Sequence, residues 1–321
     1  MKKNSFRLDL IIVIGLLFMS FSCFGKDTSL VNPFTTSGNW YKTNLHTHTK
    51  LSDGDSNLPD VVKKYRQLGY SVLAITDHEK SNNVAGFSDS NFLLISGMET
   101  QPNSGCHFVC LNLPGGFIMP SELEAQQRID RVRQAGGEVI VAHPYWGGYN
   151  INHFVMLKDF IGLEVYNEVC DEACKGYSSV LWDDFLLMER YLPAVAVDDL
   201  HGISSAGKGW VMIKAKELTS QAIMDALRSG CFYSSCGPVI KDFHIENNTI
   251  FLRCSPVKEI HFVGDGSRGK KLRASSNQLL DSAQYSIQAG NGPRYIRVEI
   301  IDGNDRYAWT NPIIIEKPEK K

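Results

Sequence analysis

Six of the nine histidines in this sequence stand beside carboxylates in short strings that end or open an apolar run. His46 and His48 end the first run, and Asp53 lies just beyond them. Asp77 and His78 close the second, Glu99 follows the third, and His107 opens the fourth. His143 ends the fifth, while Asp198, Asp199 and His201 follow the last. A spacing of two puts His46 and His48 on one face of an extended strand, where two imidazoles can reach a single ion. A single histidine at a strand end is ordinarily a satisfied polar residue, and Asp53-Gly54 by itself is an ordinary turn. A whole set of imidazoles and carboxylates is different, because such groups gathered in a protein interior need a compensating partner such as a metal ion. The donor types suit Zn²⁺, Mn²⁺ or Fe²⁺.

The elements that must position these residues alternate from Trp40 to about Pro238. The pattern predicts strands at Tyr41–Leu45, Ser71–Ile75, Phe92–Ser96, His107–Leu111, Glu138–Ala142, Gly162–Val165 and Ala194–Val197. Amphipathic helices are predicted between them. One covers Leu58–Leu68, with Pro59 in its first turn and Gly69 at its stop. Another covers Ser121–Ala135, opened by a capping box of Ser121 with Glu124, and a third covers Tyr177–Arg190. Strands alternating with helices imply an α/β fold with a largely parallel sheet, either open or closed into a barrel. In such a sheet the C-terminal strand ends share one face, so the polar strings can meet in space.

After Pro238 the texture changes to short runs, Thr249–Cys254, Glu259–Val263, Gln284–Gln288 and Tyr295–Ile301, separated by turn residues. This reads as a small all-β sandwich over 238–316, ahead of a polar tail at 317–321. His153, His244 and His261 fall outside the polar strings, and the latter two belong to this region.

The N-terminus carries Lys2, Lys3 and Arg7 before an apolar run from Leu10 to Phe21, the pattern of a secretory signal over 1–25. A linker follows at 26–39. Cleavage after Gly25 and cleavage before Cys23, with a lipid on its thiol, both fit, so the chain is expected to be exported and either periplasmic or membrane-anchored. Seven cysteines remain beyond Cys23. Cys170 and Cys174 are the nearest potential pair, but most lie in apolar runs and read as buried free thiols. The net charge is −2 over 321 residues with scattered Lys and Arg. That excludes the basic stripe of a dedicated nucleic-acid binder.

The strings HTHTKLSDGD, AITDHEKSN, SGMET, HFVCLNL, VAHP and VDDLHG, in this order, resemble the motifs of the PHP (polymerase and histidinol phosphatase) superfamily from about Trp40 to Gly237. The resemblance implies a distorted seven-stranded (β/α) barrel binding two or three divalent ions. It implies a first ion on His46, His48, Glu99 and Asp199, and a second on the shared Glu99 with His107 and His143. A third would rest on Asp53, His78 and His201. The segment 209–238 and the C-terminal β-region are similar to exported PHP metallohydrolases, a branch distinct from the polymerase-associated one.

The expected reaction is hydrolysis of a small-molecule phosphate ester by metal-activated water. Glu99 and Asp199 are its central carboxylates, and Asp77, with Asp198, is placed to orient imidazoles. Tyr145, Tyr166, Asn167 and Lys208 are candidate substrate contacts on loops rimming the same face, whereas Trp146 reads as packing. The same ligand set fits carbamate, ester or amide hydrolysis, and a metal-containing binding module without catalysis is a further reading.

Overall fold

The computed structural model describes residues 30–275, 278–288, 290 and 292–315. The expected leader at 1–25, including Cys23, and the polar tail at 317–321 lie outside the described residues. Among the described residues no helix is long and apolar enough to cross a membrane.

The sequence up to Val197 supplies seven strands that are neighbours in chain order: β1 (Asn39–Asn44), β2 (Val72–Ile75), β3 (Leu93–Thr100), β4 (Phe108–Leu111), β5 (Glu138–Val141), β6 (Gly162–Asn167) and β7 (Ala194–Val197). Strands β1, β2 and β3 pair in parallel, as do β5, β6 and β7. Strand β4 corrects the expectation of a uniform direction, because it pairs antiparallel with both β3 and β5. The cause is the short 101–107 connection, since a parallel return needs a dozen or more residues. Pairing with β4 also extends β3 beyond Ser96 to Thr100, so Glu99 lies within a strand, opposite Val109. The beginning of β4 therefore shares an end of the sheet with the finishes of its neighbours, which is why His107 belongs with the other strings. Just past β1 and β7, Thr47 forms a parallel bridge with Leu200, and the His48 amide donates to the Leu200 carbonyl at 2.8 Å. The first and last of the seven strands thus meet at the polar end.

Helices cover the connections. Helix α1 (Leu58–Gln67) has Pro near its start, where a missing N–H costs nothing, and stops before Gly69, whose φ of 75° suits glycine. It buries Val61, Val62 and Tyr65 against Leu73 and Ile75 of β2 and Leu94 of β3. Helix α2 (Ala125–Gln134) is capped by Glu124 with Gln127, three residues later than expected. The Ser121 carbonyl is instead taken by buried Arg128 at 3.1 Å. Helix α3 (Glu168–Asp171) is a single turn, and α4 (Ser179–Leu187) is shorter than the Tyr177–Arg190 reading.

Two further strands, β8 (Trp210–Ala215) and β9 (Phe232–Ser235), flank helix α5 (Ser220–Arg228) and were not foreseen. Strand β8 pairs antiparallel with β1 and with β9. The remaining strands are β10 (Ile240–Glu246), β11 (Thr249–Val257), β12 (Glu259–Gly264), β13 (Gly269–Arg273), β14 (Leu280–Ser286), β15 (Tyr295–Ile301), β16 (Tyr307–Thr310) and β17 (Ile313–Ile314). Of these, β10, β11 and β14 form a separate three-stranded sheet. The others join the large sheet, because β16 pairs with β9. Backbone pairing therefore runs on past Pro238. Period-two alternation turns Ile260 and Phe262 of β12 inward, where they share a core with Phe243, Ile250 and Leu252. The seven described cysteines are free thiols and only Cys174 is exposed, so Cys170 and Cys174 are not paired.

The C-terminal region is tied to α4 by one buried cation. Arg297 of β15 donates to both carboxylate oxygens of Asp183, at 2.9 and 2.8 Å, and to Glu299 at 2.5 Å. Its guanidinium lies 4.5 Å from the Trp182 ring centroid. Burial opposes ionisation of Glu299, but the Arg297 charge outweighs it and holds the carboxyl at about 2, from a reference of 4.5. A pKa depressed in the folded state stabilises above the unfolded value and is lost as pH falls through the folded one. Glu299 should thus contribute about 3 kcal/mol at neutral pH that disappears between pH 4.5 and 2. Asp183 is raised by desolvation and opposes this in part. In urea titrations across that window, Glu299→Gln should show a flatter fall of stability with acid than the parent. Parallel curves would contradict the assignment.

Candidate metal centre

The strand β1 leads into Leu45-His46-Thr47-His48 with its alternation intact. Leu45 enters the core and Thr47 accepts no place at the site, its amide bonding Thr76 Oγ1 at 2.8 Å. His46 and His48 therefore point together, and their Nε2 atoms stand 3.1 Å apart. Facing them are Glu99 Oε2, 3.3 Å from each, and Asp199 Oδ1, 3.2 Å from each. This is the first group of potential ligand atoms, all lying within 4.8 Å of one another. The other oxygen of Glu99 begins the second group, 2.7 Å from His107 Nδ1 and 2.9 Å from His143 Nε2. The third joins Asp53 Oδ2 to His78 Nε2 and His201 Nε2, each at 3.3 Å, with His48 Nδ1 3.4 Å from Asp53 Oδ1. Every one of the nine sequence-predicted ligands is brought into these three groups. Glu99 belongs to two of them, and His48 links the first to the third.

Burial is graded. His46, His48, Glu99 and Asp199 are inside the protein, whereas the side chains of His78, His201 and Asp53 are 31%, 32% and 51% exposed. The third group thus forms the mouth of a cavity of about 310 Å³, with Glu99, His107, His143 and Asp199 deeper in its wall. Two wall residues are conformationally strained. His143 has φ 23° and Asp199 has φ 51°, positions that side-chain-bearing residues rarely occupy and that cost about 1–3 kcal/mol each.

The support beneath the ligands differs from expectation. Asp77 accepts from the Thr49 amide at 2.7 Å, Thr49 Oγ1 at 2.8 Å, Ser52 Oγ at 2.6 Å and the Asn82 amide group. It touches no imidazole and lies outside the ligand groups, so its predicted catalytic role is corrected to bracing the 49–53 loop that carries Asp53. Asp198 likewise orients no imidazole. It accepts from Tyr65 Oη at 2.7 Å and from the amides of Gly207, Lys208 and Gly209. The residue that does orient an imidazole, that of His46, is Glu164, which sequence reasoning missed. Its Oε1 accepts from His46 Nδ1 at 2.7 Å, and its Oε2 accepts from the His143 amide at 2.7 Å and from Asn167 Nδ2 at 2.9 Å. A signal was present: Glu164 is the lone charge within the apolar run Gly162-Leu-Glu-Val-Tyr.

The four proposed substrate contacts are redistributed. Asn167 is buried and bonds Glu164 and Asp199 Oδ2, the latter at 3.1 Å, so it positions ligands and does not line the cavity. Tyr166, its neighbour in β6, points the other way by strand alternation and donates to Glu168 Oε2 at 2.5 Å. Lys208 pairs with Glu168 on the same side. Tyr166 and Lys208 line a different cavity, and exposed Tyr145 lines neither. Trp146, read as packing, is the aromatic residue at the metal cavity, its ring 5.7 Å from His107 and 5.3 Å from His143.

The electrostatics fit a cation. Desolvation lowers His46, but Asp199, Glu164 and Glu99 together hold it well above the usual imidazole range. His48 is likewise raised to about 9, against desolvation, by Asp199 and Glu99. Conversely the imidazoles hold buried Glu99 and Asp199 well down as carboxylates, against the cost of burial. The cluster therefore demands positive charge at its centre. Protons are a poor source, since two Nε2 atoms 3.1 Å apart cannot both carry a hydrogen toward the same point. With Glu164 taking the Nδ1 hydrogen of His46, a neutral ring leaves its Nε2 lone pair facing inward. Asp199 Oδ1 is buried and has no hydrogen-bond partner among the described residues. An orphaned carboxylate oxygen beside converging imidazole nitrogens suits a divalent ion of the Zn²⁺, Mn²⁺ or Fe²⁺ type.

Comparison with known proteins places this geometry. No curated protein sequence matches the chain. Among solved structures, it is similar to a two-domain protein from Bacteroides vulgatus containing a predicted PHP-like metal-dependent phosphoesterase. That match has 16% identity and a TM-score of 0.51, covering 85% of this chain and 94% of that one. It also matches a lesion-specific endonuclease from Pyrococcus furiosus at 12% identity and a TM-score of 0.43, over 59% of this chain and 56% of that one. The first likeness establishes a shared fold. Residues 44–182 match the model of the PHP domain family, a span that holds seven of the nine clustered residues. Residues 44–182 thus carry the match to the PHP domain family, and the fold around them is shared with the Bacteroides vulgatus protein.

Proposed function

We propose that this chain is an exported metal-dependent phosphoesterase that hydrolyses a small-molecule phosphomonoester or phosphodiester. One observation carries the reading: nine histidines and carboxylates at or beside strand ends form three groups linked through Glu99 and His48, one of them holding a buried Asp199 oxygen that has no hydrogen bond among the described residues. His46, His48, Glu99 and Asp199 would hold one ion, Glu99, His107 and His143 a second, and Asp53, His78 and His201 a third. Bound there, divalent ions acidify water to near neutrality and offset charge on phosphoryl oxygens.

The rest is done by the chain itself. Glu99 fixes the spacing of two groups, and Glu164 holds His46 and the His143 backbone. The exposed third group sets the side of entry, so the phosphoryl end of a substrate arrives past Asp53, His78 and His201. Trp146 walls the opposite side and offers a flat apolar surface to the leaving group. The seven consecutive strands and the Thr47–Leu200 bridge support a distorted seven-stranded (β/α) barrel over 40–237. A β-sandwich over 238–316 completes the reading, and the leader at 1–25 supports action in the periplasm or, through Cys23, at a membrane.

Turnover tests this. The purified protein, loaded separately with Mn²⁺, Zn²⁺ or Fe²⁺, should cleave an aryl phosphate or an aryl phosphodiester in a chelator-sensitive way. Cleavage of an aryl carbamate alone would replace the reading with a carbamate, ester or amide hydrolase using the same residues. Bound metal without turnover of any of the three would favour a binding module.

A further inference from the structure

Helix α3 is a wall between two cavities. Val169 and Cys170 line the metal cavity, while Glu168 and Asp171 line a larger one of about 700 Å³. Separate stretches of the chain line the rest of the larger cavity, among them Tyr177 after α3, Lys208 and Trp210 leading into β8, and the segment from Asn304 to Tyr307. It sits where the first seven strands meet the C-terminal strands, a usual place for a ligand site.

The rings of this cavity are held by packing. Tyr177 lies 5.0 Å from Tyr166 and 5.1 Å from Tyr307, and Tyr307 stacks on Trp309 at 5.6 Å. Lys42 Nζ stands 4.6 Å from the Trp210 ring centroid. A ligand laid on these faces would order little that is not already ordered. Several charged groups are paired: Lys208 with Glu168, and Arg306 with Asp302 through Nε and Nη2 at 2.9 and 2.8 Å, while Lys42 Nζ donates to the Leu68 carbonyl at 3.4 Å. Hydrogen-bonding capacity nevertheless remains. The Asp171 carboxylate and the Asn304 amide have no side-chain hydrogen bond among the described residues, and Arg306 has five N–H donors, more than Asp302 can take up.

We propose that this second cavity binds a saccharide. A sugar ring presents a C–H face that packs on aromatic rings, and adjacent hydroxyl pairs that match a carboxylate, an amide or a guanidinium fork. The alternatives fit less well. A hydrocarbon would leave the polar rim buried and unpaired, which is costly. A strongly anionic ligand would meet the carboxylates of Glu168, Asp171 and Asp305, with Lys208 and Arg306 already ion-paired and only Lys42, held over the Trp210 ring, to answer it. The site uses none of the residues of the metal centre, so it is independent of the reaction catalysed there.

Saturation-transfer NMR on the purified full chain tests this, using methyl glycosides of glucose, galactose, mannose and N-acetylglucosamine and their linear trisaccharides. At least one should bind, with an affinity lowered at least tenfold by Arg306→Ala and by Asn304→Ala. Both side chains lie on an exposed turn, and circular dichroism should show both variants folded. Binding should persist in Glu99→Gln and in the presence of chelator. The proposal is overturned if no saccharide of the set binds. Binding unchanged in both turn variants, or lost on disabling the metal centre, would overturn it equally.

Discussion

A Glu99→Gln protein should fold normally yet lose turnover of an aryl phosphate by on the order of 10³-fold. Glu99 is the one carboxylate shared by two of the three ligand groups. Its Oε1 serves His107 and His143 at 2.7 and 2.9 Å, and its Oε2 faces His46 and His48 at 3.3 Å. The amide keeps the volume, so the pocket walls should hold their shape. It removes the negative charge and leaves one of the two positions as a donor, which faces imidazole nitrogens and excludes a cation. Loss at a single group would be tens to hundreds fold, and loss at two compounds it. Metal content should fall with activity. Activity within tenfold of the parent would remove Glu99 from the centre of the account.

Glu164→Gln should behave differently, and the difference identifies its role. Glu164 contacts none of the cavity space, yet it fixes the tautomer of His46 and the strained backbone at His143. Losing such support typically costs 10–100-fold in metal affinity. The expected result is an activation curve shifted to 10–100-fold higher metal, with kcat at saturating metal recovered to within a few fold. A direct ligand would not recover in this way. An unshifted activation curve would show that His46 is oriented without Glu164.

The ligand residues were legible in the sequence because strand-end position and residue type together are strong constraints, whereas their division into three groups came from the resemblance to PHP motifs. The spacing of His46 and His48 dictates a common face in any strand, and the structure places them so. His107 was legible as a residue but not as a position. Only the reversal of β4 puts a strand beginning among strand endings, and direction is set by the 101–107 connection, not by side-chain pattern. Glu164 was passed over because a charge inside an apolar run does not say which face it takes. That depends on an irregularity in the pairing of β6 with β7 between Glu164 and Tyr166, which lets Glu164 and Asn167, three residues apart, both face the ligands while Tyr166 faces away. Tyr166 consequently faces the second cavity, where Lys208 joins it through its pairing with Glu168. Asp77 misled because adjacency to a ligand in sequence does not determine which donors surround a carboxylate. The C-terminal strands were partly legible, since β15 matches its predicted bounds. Their union with the first half through β9 and β16 was not, because hydrogen bonding between strands far apart in sequence leaves no local pattern.

The most direct test of the metal centre is anomalous diffraction from crystals grown with Mn²⁺ or Zn²⁺, collected on either side of the absorption edge of the ion supplied. The account predicts anomalous peaks in contact with the ligand atoms of His46, His48, Glu99 and Asp199 and of Glu99, His107 and His143, with a further peak among Asp53, His78 and His201. Protein that hydrolyses a phosphate ester in a metal-dependent way but shows no peak at any of these groups would contradict it.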